Sequence, residues 1–192
     1  MRADKPMNLS RRQTLVGATL TFGALWTTLV LPNGASAQGV LSWTPRALTA
    51  DQARTLDVVA ELIIPATDTP GAREAGVPQF VDRAIANWSA PGDAKALRDG
   101  LTRMDADARA AHGASFAAIT PIQQTNLLTR YDAEATRPAP GARHFFSTLK
   151  ELATVGYFTS EPGATKAVRY DPVPGDYRSC VLLSEIGRAW AT

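Results

Sequence analysis

Two histidines, His112 and His144, one cysteine, Cys180, and two carboxylates four residues apart, Asp57 and Glu61, are the side chains whose types could do chemistry. Asp57 and Glu61 would share one face of a helix, and paired acids do general acid–base work when their surroundings push their pKa values apart. Arg54, three residues before Asp57, favours the plainer reading of a solvated, ion-paired face. Asp105 and Asp107, in a run of alanines and arginines, read the same way. No H-E-x-x-H, H-x-x-E or C-x-x-C pattern surrounds the histidines, so a metal would need carboxylates brought from elsewhere in the fold. His144, next to Phe145, reads as a helix-face residue. There is no G-x-S-x-G elbow for a serine nucleophile, no G-x-G-x-x-G or P-loop for nucleotide phosphates, and no C-x-x-C-H for haem attachment. A single cysteine excludes an internal disulfide and a cysteine-ligated iron–sulfur cluster. In an oxidising compartment Cys180 would be either a buried thiol or one half of a bridge to another chain.

The elements that must position these residues begin with an address. Arg2, Lys5, Arg11 and Arg12 stand against Asp4, and Thr14 to Leu31 then runs 18 residues without a charge before Pro32, Asn33 and Gly34. Ala35-Ser36-Ala37 supplies an A-x-A cleavage site, so residues 1–37 read as a signal peptide. The adjacent Arg11 and Arg12 make it a twin-arginine signal. Five threonines and two glycines dilute the apolar stretch, which suits a cleaved leader better than an uncleaved anchor helix. Without residues 1–37 the formal charge falls from +2 to −1. The basic excess therefore belongs to the leader, and the remaining chain has no surplus for nucleic acid.

Residues 38–48 read as a linker around Trp43 and Pro45. Thr49 and Gln52 form a capping box, Leu56, Val59, Ala60 and Ile63 recur at helical spacing, and Pro65 stops the helix. Residues 65–77, with two prolines and two glycines, read as a loop. Pro78 opens a second helix with Phe80, Val81, Ala84, Ile85 and Trp88 facing the core. Asp93 caps a third, striped by Leu97, Leu101, Met104 and Ala108 and ended by Gly113. Thr120, Pro121 and Gln123 start a fourth, continued by Leu127, Leu128 and Tyr131. A break over residues 137–141 precedes a fifth, over 142–155, with Phe145 or Phe146, Leu149, Leu152 and Val155 inward. The spacing predicts a small all-α domain of about five helices over 49–155. Residues 156–192 read as a turn-rich aromatic arm, with room for a turn or two of helix at 160–168. Tyr157, Phe158, Tyr170 and Tyr177 are the side chains such an arm would lay on a partner or on its own domain.

Two long segments carry a resemblance. Leu62-Ile63-Ile64-Pro65-Ala66-Thr67-Asp68-Thr69-Pro70-Gly71-Ala72 with Ala75-Gly76-Val77-Pro78 is one. Gly156-Tyr157-Phe158-Thr159-Ser160-Glu161, Gly163-Ala164-Thr165 and Tyr170-Asp171-Pro172-Val173-Pro174-Gly175, with Tyr177 and Cys180, is the other. Together they resemble the gluconate 2-dehydrogenase subunit 3 family, from about Leu48 to Cys180. The resemblance implies a non-catalytic small subunit of a periplasmic dehydrogenase of sugars or sugar acids, associated with the inner membrane through its complex. It implies no cofactor in this chain, FAD in a large catalytic partner and haem c in a multi-haem cytochrome partner. It further implies that the leader engages the twin-arginine translocase for the folded flavoprotein as well. Tyr157, Phe158, Tyr170, Tyr177 and Cys180 are then the expected partner interface, and no catalytic residue carries over. The alternative reading of the residues alone is a self-standing exported helical enzyme or binding module using a carboxylate or histidine site.

Overall fold

The computed structural model describes residues 41–137, 143–169, 175 and 180–189, all within the unit Gln38–Thr192. The leader with Arg11 and Arg12, and the arm residues Tyr170 and Tyr177, lie outside the described residues. The architecture is all-α: α1 (Ala50–Ile63), α2 (Val77–Asn87), α3 (Pro91–His112), α4 (Pro121–Thr136) and α5 (Phe145–Phe158) are followed by a π-turn (Gly163–Ala167) and a short α6 (Leu183–Ile186). No β-strand occurs among the described residues.

Both capping boxes form as their sequences dictate. Thr49 accepts from the Gln52 N–H while the Gln52 side chain accepts from the Thr49 N–H, and Thr120 and Gln123 repeat the arrangement on α4. Gly113 ends α3 at φ 75°, a left-handed conformation that glycine adopts without strain. Elsewhere the ends differ from expectation. The third helix starts at Pro91, whose fixed φ pre-forms the first turn, and Asp93 sits inside that turn rather than capping it. The fifth starts at Phe145, because the His144 imidazole Nδ1 accepts from the Phe146 N–H at 3.3 Å. His144 is therefore an N-cap, not a helix-face residue. That helix also runs on to Phe158, three residues past the expected end, because Gly156 and Tyr157 are buried.

α5 packs against α1, α2, α3 and α4. Its buried stripe is Phe145, Phe146, Leu149, Ala153, Gly156 and Tyr157, so Leu152 is only half-buried and Val155 is exposed, contrary to the expected register. Opposite it, Leu56, Val59, Val81, Leu97, Leu101, Met104, Phe116 and Tyr131 complete the core. Phe80 is half-buried and Trp88, just past the end of α2, is largely exposed, so neither closes the core as its spacing suggested.

Three carboxylates that the sequence leaves unremarked or calls solvated hold the packing together. Asp82, 2% exposed on α2, accepts the N–H groups of Arg46, Ala47 and Leu48 at 2.7, 3.0 and 3.1 Å. The end of the expected linker is thus fastened to the domain. Asp107 accepts the hydroxyl of the fully buried Tyr131 at 2.6 Å and also pairs with Arg130. Asp105 likewise accepts the Phe116 N–H at 2.9 Å while pairing with Arg109, so it ties the loop after α3 to that helix.

Burial first, then the bond to Asp107, push the Tyr131 pKa above the ordinary tyrosine range. Its neutral form therefore stabilises the fold below the unfolded value of about 10, and that contribution is lost as pH rises further. In an alkaline titration followed at the tyrosinate absorbance, Tyr131 is expected to resist ionisation until the fold gives way. Tyr131→Phe is expected to abolish that late step; its persistence would count against the assignment.

Candidate partner surface and the loop beneath it

The loop between α1 and α2 is built around Glu61. Its carboxylate accepts the N–H groups of Ala66 and Arg73 at 3.2 and 3.0 Å, bridging both ends of the turn. Gly71 leaves the space this needs, since a Cβ there would overlap the Glu61 carboxylate and lie 2.7 Å from Ala66 N. Asp57, one turn earlier, pairs with the Arg73 side chain at 2.7 Å, while Arg54 pairs with Asp51 instead. The four-residue carboxylate pair is thus a clamp for the loop. Ala72 is buried within it and donates to the Ile64 carbonyl at 2.9 Å.

The second signature segment lands on the first. Tyr157 on α5 donates from its hydroxyl to the Pro70 carbonyl at 2.8 Å, across 87 residues of sequence. After α5 the chain turns sharply: Ser160 donates to the Tyr157 carbonyl at 2.6 Å and accepts the Gly163 N–H at 3.1 Å. Tyr157 is 3% exposed. Its ring packs on its own domain, one of the two alternatives for the arm, which takes it out of the expected partner interface. Phe158, edge-on to Tyr157, is 46% exposed. Pro65 to Asp68 form the exposed crest of the loop. Within the arm, the Arg169 N–H donates to the Ala189 carbonyl at 2.7 Å and Arg188 donates to the Lys166 carbonyl, which ties its end to the segment after α5. Cys180 is a free, exposed thiol, so the buried-thiol alternative falls.

His112 closes α3 in an exposed position. His144 Nε2 is buried 3.7 Å from Glu134, too far for a hydrogen bond. Among the described residues no three His, Cys, Asp or Glu side chains gather where they could hold a metal ion. Among them, no helix is long and apolar enough to cross a membrane.

Sequence reasoning missed an aromatic pair on the outer surface. Phe80 and Trp88 lie with ring centroids 5.9 Å apart, and the Phe80 ring rests on Gly156 of α5, where a Cβ would come within 2.6 Å of it. The available signal was the glycine opening the second signature segment, which marks a close approach.

In this all-α domain the two signature segments meet, fastening a loop to the end of one helix. The family comparison gives it a place: residues 50–175 match the family model described as gluconate 2-dehydrogenase subunit 3, and the chain belongs to that family. The family is one of accessory subunits of a dehydrogenase complex, and its name implies association with a gluconate dehydrogenase catalytic subunit. No curated protein and no solved structure matches the chain.

Proposed function

We propose that this chain is a non-catalytic small subunit of a membrane-associated, FAD-dependent dehydrogenase of the gluconate 2-dehydrogenase type, which escorts the catalytic flavoprotein through twin-arginine export and stabilises it. The observation that carries this reading is the family match over residues 50–175. The leader with Arg11 and Arg12 supports the export role, because that route carries folded cargo and this chain has no cofactor motif of its own to require it. In this reading FAD in the large partner oxidises a CH–OH group of a sugar or sugar acid, and haem c in a cytochrome partner takes the electrons. The assembly stands in the periplasm against the inner membrane.

Purification of the tagged chain from its native host tests the proposal. A larger, yellow polypeptide is expected to accompany it, with the 450-nm absorption of flavin and dehydrogenase activity towards gluconate or a related sugar. A lone, colourless chain that is itself active would overturn the proposal in favour of the self-standing enzyme. Cys180 is exposed and belongs in this reading to the partner contact. On a non-reducing gel the complex is expected to give a band at the summed mass of two chains, absent in Cys180→Ser. Separate bands for the wild type would remove the bridge but not the contact.

A further inference from the structure

The two ring nitrogens of His144 face different demands. Nδ1 accepts the Phe146 N–H at 3.3 Å and caps α5, so it carries no proton. In the neutral ring the proton then sits on Nε2. That nitrogen is buried without a hydrogen-bond partner, 3.7 Å from Oε2 of Glu134 on α4. The same carboxylate oxygen accepts from Arg103 on α3 at 3.0 Å, and Arg130 lies 3.7 Å from the other. The remaining charges at this junction are paired elsewhere or stand in solvent. Asp107 on α3 pairs with Arg130 and accepts the Tyr131 hydroxyl. Lys150 on α5 pairs with Asp132 on α4, and Arg143 pairs with Glu151. Arg137, just past the end of α4, is exposed, and residues 138–142 include no ionisable side chain. Among the described residues Glu134 is thus the carboxylate in ion-pair reach of the ring.

We propose that His144 is a two-position pH switch where α3, α4 and α5 meet: neutral, it caps α5, and protonated, it gives up the cap and pairs with Glu134. Histidine is the side chain that ordinarily changes charge between about pH 5 and 8. A proton added to Nδ1 points at another donor, the Phe146 N–H, so the capping bond does not survive it. The positive end of the helix dipole disfavours a cation at that place as well. The same event makes Nε2–H a charged donor, and a closure of roughly 1 Å brings it to charge-assisted hydrogen-bond distance from Glu134, in competition with Arg103. One contact is exchanged for the other. The cap contributes above the titration of the ring and is lost below it, and the ion pair runs the opposite way. Loosening begins at the first turn of α5, where Phe145 lies against the imidazole with centroids 4.7 Å apart and fills the space left by Gly100 of α3. The switch stands whether or not the subunit role proposed above holds.

Nuclear magnetic resonance of the protein labelled at histidine and phenylalanine tests this. Protection of the Phe146 amide from exchange with water, corrected for intrinsic catalysis, is expected to fall at least fivefold as the His144 ring takes up its proton. The Phe158 amide, at the far end of α5, is expected to keep its protection. His144→Asn supplies a capping oxygen that does not titrate, and is expected to hold the Phe146 protection constant over the same range. Glu134→Gln cannot pair with the imidazolium, and is expected to move the loss to lower pH. His112, exposed at the end of α3, supplies the reference titration. Phe146 protection that stays constant through the titration of His144, or that falls equally in His144→Asn, would overturn the proposal. So would a parallel loss at Phe158, which would mean that acid unfolds the helix as a whole, or an unchanged midpoint in Glu134→Gln, which would leave the protonated ring without its second position.

Discussion

Asp82→Ala is expected to lower the stability of the domain by about 3 kcal/mol, which for a chain of this size corresponds to a fall in thermal midpoint of roughly 6–12 °C. The Asp82 carboxylate is nearly inaccessible to water and accepts three backbone N–H groups, from Arg46, Ala47 and Leu48. Hydrogen bonds to an ionised acceptor are stronger than neutral ones, and a methyl in its place strands three donors, that of Leu48 in a buried position. Unmade bonds of this kind cost more than the bond itself contributes when present. Asp82→Asn keeps one oxygen acceptor of similar shape and is expected to lose about half as much. Thermal melts of the two variants followed by circular dichroism measure both. Midpoints within about 2 °C of wild type in Asp82→Ala would mean that water replaces the carboxylate at little cost, and that the segment before α1 is not held by it.

That contact also shows where the sequence stops being legible. Capping boxes and the Gly113 stop are visible because each is made by residues within four positions of one another, so the local string contains the whole interaction. Asp82 looks like any acidic residue of an amphipathic helix, since its three donors come from 34 to 36 positions earlier. The same holds for Tyr157, whose neighbours Gly156 and Phe158 read as an aromatic arm until the Pro70 carbonyl, far off in sequence, is seen to receive its hydroxyl. Trp88 errs in the opposite direction. Its spacing continues the apolar stripe of α2, but the helix ends at Asn87, so the indole leaves the face that the period assigns it. The family-bearing segments were legible as strings, and what they build was not. Glu61 and Gly71 shape the loop, and Tyr157 fastens it to α5.

Arg11→Lys together with Arg12→Lys is expected to leave both this chain and its catalytic partner in the cytoplasm, an effect close to complete where each stability change above is graded. The paired arginines are the feature that distinguishes a folded-cargo leader from an ordinary secretory one. The uncharged stretch from Thr14 to Leu31, with its five threonines and two glycines, is too mildly apolar to redirect the chain by hydrophobicity alone. Lysine keeps the positive charge of the segment, so the substitution separates recognition of the arginine pair from the general preference for a basic start. Cell fractionation with antibodies to both subunits, together with flavin content and dehydrogenase activity of the periplasmic fraction, reads the outcome. Loss of both subunits from the periplasm supports escort. If this chain is retained while the catalytic subunit still arrives loaded with flavin, the partner has its own route, and the small subunit acts only after export, as a contact that stabilises it. Variants that break the contact between the two subunits then provide the complementary experiment. With an intact leader they are expected to export this chain alone and strand the flavoprotein, because an escort must hold its cargo through the passage as well as carry the address.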